Sequence, residues 1–104
     1  MMQYLVLALL LLCISAPGQA DGNRRAGQEK SDRCAACHGA EGKAIIPIYP
    51  NLAGQNAPWL VQALQAYKSG ARSGGQAEMM KAFVAGLSDE DIDDLAAYYA
   101  GLKP

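Results

Sequence analysis

At 104 residues the chain has the length of one domain. Its formal net charge is −1, so the overall balance gives no electrostatic case for binding nucleic acid or an anionic membrane surface. Hydrophobic residues make up 51%, but a large share of them sits in one N-terminal run, so the rest of the chain is poorer in core than the total implies.

That run, residues 1–14, is almost wholly apolar and ends at Ser15-Ala16-Pro17-Gly18-Gln19-Ala20. It is shorter than the ~20 apolar residues of a membrane-spanning helix. Gly18 and Ala20 are small residues at the spacing of a signal-peptidase site, so residues 1–20 read as a secretory signal peptide and residues 21–104 as the domain. No Lys or Arg precedes the run, which leaves an uncleaved membrane anchor as the alternative. Lipidation at Cys13 is disfavoured because Leu12 is not small. The remaining 84 residues are marginal for a self-sufficient core, and domains of this size usually carry a staple. Their two cysteines, Cys34 and Cys37, are too close together to staple a fold by themselves.

The elements expected beyond the signal are helical. The first helix is predicted over about residues 23–35, capped by Asp21 or Asn23. Gly27 inside it costs ~1 kcal/mol against alanine, which a close helix crossing would explain. Residues 39–54 hold Gly39, Gly42, Pro47, Pro50 and Gly54 and read as loop. Ile45, Ile46, Ile48 and Tyr49 within it suggest an extended stretch pressed on something apolar. A second helix begins at Asn56, with Pro58 in its first turn and Trp59, Leu60, Ala63, Leu64 and Tyr67 at helical spacing, and stops near Gly70. A short helical turn is expected between Glu78 and Ala85. The third main helix starts at the N-cap Ser88, carries Asp89, Glu90 and Asp91 in its first turn, and presents Ile92, Leu95, Ala96, Tyr99 and Leu102 as one apolar stripe. Arg24, Arg25, Lys30 and Arg33 lie near the start of the domain, and Asp89 to Asp94 near its end; these read as two solvated helix ends.

Cys34-Ala35-Ala36-Cys37-His38 has the Cys-x-x-Cys-His spacing that attaches c-type haem. Two thiols can add to the two vinyl groups on one porphyrin edge, and the adjacent imidazole then reaches the iron. Zinc would need further Cys or His ligands, and the domain has none. A thioredoxin-like dithiol would need a βα pattern around the motif, and none is visible. A plain disulfide is open only if haem loading fails. His38 is the sole histidine, so bis-histidine ligation within the chain is excluded. A methionine ligand could only be Met79 or Met80.

In this order the motifs resemble the class I c-type cytochromes, particularly small bacterial periplasmic ones and the single-haem halves of dihaem cytochromes. The resemblance runs from Arg25 to Leu102. Ala26-Gly27-Gln28-Glu29-Lys30 looks like the family's N-terminal helix. Pro50-Asn51-Leu52-Ala53-Gly54-Gln55 is similar to its Pro-x-Leu-x-Gly segment. Met80 followed by Gly86-Leu87-Ser88-Asp89-Glu90-Asp91 is similar to its ligand loop, and Leu95-Ala96-Ala97-Tyr98-Tyr99 to its last helix. Relatives often carry a second methionine where this chain has Phe83.

The resemblance implies an all-α fold wrapped around one covalently bound haem c. It implies axial ligation by His38 and Met80, with Met79 as the alternative. It implies a Pro50 carbonyl (or that of Pro47) accepting from His38 Nδ1–H, and Leu52, Trp59 and Leu64 in the haem pocket, Trp59 near a propionate. The function implied is single-electron transfer in the periplasm between transient redox protein partners, a carrier rather than an enzyme. The rival readings are a subunit of a larger redox enzyme and a five-coordinate haem enzyme or gas sensor.

Overall fold

A computed structural model describes residues 22–104; the expected signal segment lies outside the described residues. These residues form five helices and no strand: α1 (Arg24–Lys30), α2 (Asp32–His38), α3 (Ala57–Ser69), α4 (Ala77–Val84) and α5 (Asp89–Ala100). None is long and apolar enough to cross a membrane.

The predicted first helix is two helices. Ser31 interrupts it, because its hydroxyl donates to the Gln28 carbonyl at 2.7 Å and competes with the helical ladder. The chain resumes at Asp32 and stays helical through His38, three residues further than the sequence suggests. Asn23 caps α1, its side chain accepting from the Ala26 N–H at 2.9 Å. Asn56 caps α3 in the same way, accepting from Trp59 N–H, and left-handed Gly70 ends that helix. Ser88 and Asp91 form a reciprocal capping box at the start of α5.

The frame is the packing of α5 against α1 and α3. Leu60 of α3 meets Leu95, Ala96 and Tyr99 of α5 in a small core, with Leu52, Leu64 and Leu87 half-buried around it. Ile92 and Val84 are the largest fully buried side chains. The α1–α5 crossing is closest at Gly27. A Cβ there would run into the backbone carbonyl of Asp94 and come within 2.7 Å of the Tyr98 Cβ, so the close crossing anticipated for this glycine is real.

Two expectations need correction. The basic and acidic segments are not wholly separate solvated ends: Arg24, Arg25, Arg33, Asp89 and Glu90 are exposed as expected, but Lys30, Asp91 and Asp94 are paired. Lys30 reaches across the crossing to Asp94 at 2.6 Å and Asp91 at 2.8 Å, and Asp94, only 4% exposed, also accepts the Asn23 N–H at 2.7 Å. Charges more than sixty positions apart in the chain are paired by tertiary contact, which local patterning does not reveal. The isoleucine stretch is pressed on apolar surface only at its end, where Ile48 and Tyr49 line the apolar cavity between the helices. It is a run of bends and turns in which Ile45 is 93% exposed and Ile46 and Ile48 more than half exposed.

Two outcomes follow from this packing. Gly27→Ala should destabilise the folded protein by about 1–3 kcal/mol in urea unfolding, because overpacking against backbone outweighs the alanine helix preference. Acid should also loosen the crossing. Lys30 and the Ser88 backbone hold the Asp91 carboxyl down to about 2, and the Asn23 amide and Lys30 hold Asp94 below its ordinary value. Groups depressed on folding stabilise above the ordinary carboxylate value of 3.8, and that contribution is lost as pH falls toward 2. Asp93, which burial pushes up, works in the opposite sense and makes the fall shallower. The urea midpoint should therefore drop between about pH 4 and about pH 2, and less steeply in Asp94→Asn.

Candidate haem site

Helix α2 explains why the motif works as a unit. Cys34, Cys37 and His38 stand at i, i+3 and i+4, so the helix places all three along one side. Gly39 then turns the chain away with φ +87°; a side chain there would meet the Lys43 carbonyl. The loop that follows folds back on itself. The Gly42 carbonyl accepts from Leu52 N–H at 2.8 Å and Ala53 N–H at 3.0 Å, and Asn51 Oδ1 accepts from Ala44 N–H at 2.7 Å. Gly54 N–H donates to the Tyr99 carbonyl at 2.9 Å and ties the loop to α5.

This closure brings the Pro50 carbonyl to 2.8 Å from His38 Nδ1. A carbonyl can only accept, so Nδ1 carries the proton and Nε2 is left with the lone pair. The imidazole is buried, 7% exposed, with Tyr49 edge-on at 6.5 Å between ring centroids. Its tautomer and orientation are thereby set for ligation through Nε2. Pro50, not the alternative Pro47, is the acceptor.

His38 opens onto a cavity of about 520 Å³ between α2, the 48–55 segment, α3, α4 and α5. That volume is in the range of small-molecule and cofactor sites. The wall is mainly apolar. Leu52, Trp59 and Leu64 all face the cavity, as do both Met79 and Met80. Cys34 lines it, whereas Cys37 is half-buried outside the lining. Trp59 is more than half exposed and sits at the rim. Met79 is the more open of the two methionines at 49% exposed, and Met80 is partly buried.

Sequence reasoning passed over part of the wall. Phe83 and Val84 line the cavity at i+3 and i+4 from Met80, and Tyr67 lines it one helical turn beyond Ala63 and Leu64. Extending the helical spacing from Met80 and from Leu64 finds all three. Tyr99, also in the wall, has a buried hydroxyl with no hydrogen-bond partner among the described residues, although the Cys34 and Ser31 side chains lie close enough to influence its ionisation. Burial holds that phenol well above its ordinary range. Burial also pushes the Cys34 thiol up, the reverse of the low pKa that a reactive redox dithiol requires.

The residues present fit a c-type haem. An oriented imidazole and a motif thiol face an apolar cavity of cofactor size, and the wall contains an unpartnered buried hydroxyl.

Comparison with known proteins agrees with this geometry. The family model for cytochrome c matches residues 24–103. Over 79 residues the chain is 51% identical to cytochrome c-554(548) of Halomonas halodenitrificans, covering 76% of this chain and 95% of that protein. It is 39% identical over 106 residues to cytochrome c4 of Azotobacter vinelandii, covering 96% of this chain and 50% of that one. The crystal structure of reduced recombinant cytochrome c4 from Pseudomonas stutzeri superposes with a TM-score of 0.70 at 38% identity, over 79% of this chain and 46% of that chain. The chain thus spans nearly all of the first relative and about half the length of the cytochromes c4 it matches. It belongs to the cytochrome c family, with the class I all-helical fold, a c-type haem as its cofactor and electron transfer as its work.

Proposed function

We propose that this domain is a single-haem electron carrier that works in the periplasm after removal of residues 1–20, with Cys34 and Cys37 as the two thioether anchors, His38 and Met80 as axial ligands, and transient contacts to redox protein partners. The observation that carries the ligand set is the His38–Pro50 hydrogen bond at 2.8 Å. It presents Nε2 as the ring's one free lone pair beside a cavity that two methionines of α4 also line.

The haem, when bound, supplies a one-electron iron couple whose potential a methionine ligand raises. The chain's own residues supply orientation and dryness. Pro50 holds the His38 proton on Nδ1, and Leu52, Leu64 and Val84 wall the site with apolar surface. With His38 and Met80 both holding the iron, the protein would leave no coordination site for a substrate, which favours carriage over catalysis. A carrier must release its partners quickly, which suits a small interface of under about 1,200 Å². The apolar N-terminal run and the cofactor's attachment chemistry support export from the cytoplasm.

Met80 is favoured over Met79 because it is the less exposed and shares a helix face with the buried wall residue Val84, four positions on. Haem staining of the exported protein after denaturing electrophoresis tests the anchors. Cys34→Ala and Cys37→Ala should each cripple covalent attachment, and a double variant that kept its colour through denaturation would sink the assignment. Met80→Ala should remove the sulfur-to-iron charge-transfer band at the red end of the oxidised spectrum and lower the reduction potential. Met79→Ala should leave both nearly unchanged. The opposite pattern would move the ligand one residue back.

A further inference from the structure

Helix α4, which carries Met79 and Met80, has one substantial helix partner, α3. Nothing in that packing ties it to α2, which carries Cys34 and His38 from the other side of the cavity. One contact does. The guanidinium of Arg33, the residue before Cys34, lies over the Phe83 ring at 5.4 Å from its centroid. Both residues line the cavity. Phe83 stands three positions after Met80, so the ring that Arg33 covers belongs to the face of α4 that carries the ligand.

We propose that the Arg33–Phe83 stack is a latch that holds α4 against the haem-attachment helix and so resists loss of the Met80 ligand. This rests on Met80 being that ligand. The two residues are positioning groups: neither has a donor atom for the iron in this role, and they act through the place they give α4. The arrangement is suited to it. Arg33 stands on the helix whose Cys34 and His38 would be fixed to the cofactor, whereas α4 brings its methionines from the opposite wall on an eight-residue helix packed on α3. A guanidinium over an aromatic face within about 6 Å is attractive, and the planar group stacks better than an ammonium. Arg33 is exposed, so its replacement does not threaten the core.

The test is displacement of methionine by imidazole in the oxidised holoprotein, followed as bleaching of the sulfur-to-iron charge-transfer band. Arg33→Gln and Phe83→Leu should each strengthen apparent imidazole binding roughly two- to five-fold, the range of an exposed cation–π contact. The double variant should go no further than the stronger single one, because both remove the same contact. Arg33→Lys should recover most of the wild-type value. Additive effects in the double variant, or no change in Arg33→Gln, would overturn the latch: an arginine acting by long-range charge would act equally well with leucine at position 83. Met80→Ala serves as the separate control. Should it retain the charge-transfer band, the ligand assignment fails and takes the latch with it; should it lose the band while Arg33→Gln behaves as wild type, the latch alone fails.

Discussion

Because Gly27 has no side chain, the backbone of α1 lies directly on that of α5 at Asp94, and the site is assembled from what those two helices carry onward. One residue after α1, helix α2 begins and delivers Cys34 and His38; from α5 come Leu95, Ala96 and Tyr99, which form the floor of the cavity. The crossing is held by apolar packing at its centre and by charge at its edge. Lys30, the last residue of α1, holds two carboxylates of α5, one of them buried and also bonded to the Asn23 amide at the opposite end of α1. The buried Asp94 is thus met at both ends of a seven-residue helix. An isolated helix of that length is not stable in water. Tertiary contact keeps it formed, and it in turn fixes the direction from which the haem-attachment helix approaches.

The sequence was most legible where a local rule has few exceptions. Asn23 and Ser88 cap their helices as the local pattern predicts, Asn56 caps the helix whose start it marks, and of the stripe Ile92, Leu95, Ala96, Tyr99 and Leu102 the first four are buried. The Cys34 to His38 motif named the cofactor because its spacing matches a specific chemistry. Legibility failed where distant residues decide. Ser31 breaks the first helix by a side-chain bond to Gln28, and a serine in mid-helix does not announce which of its possible partners it takes. Lys30 was read as solvated because its partners lie more than sixty positions away. The isoleucines at 45 and 46 mislead for a third reason. Hydrophobicity is a poor guide to burial in a loop, and single exposed apolar side chains are ordinary on protein surfaces.

The two sides of the cavity are built to different standards. On the His38 side, the imidazole is buried, its proton is assigned, and the loop that presents Pro50 is closed by bonds at Gly42, Asn51 and Gly54. On the methionine side, α4 has no side-chain N-cap bond, and among the described residues its Glu78 and Lys81 pair with each other across one turn, with Glu78 also accepting from Gly74. Such surface pairs contribute little to stability. That difference in side-chain chemistry suits a carrier. In the proposed ligand set the methionine thioether is a weak, neutral ligand that needs only to be kept near, while the histidine bond and the two thioether bonds would have to survive every cycle. The same asymmetry explains the division of side chains between the helices: α2 offers groups that bond covalently or by a directed lone pair, and α4 offers methionines, a phenylalanine and a valine, which fill space and adapt to it.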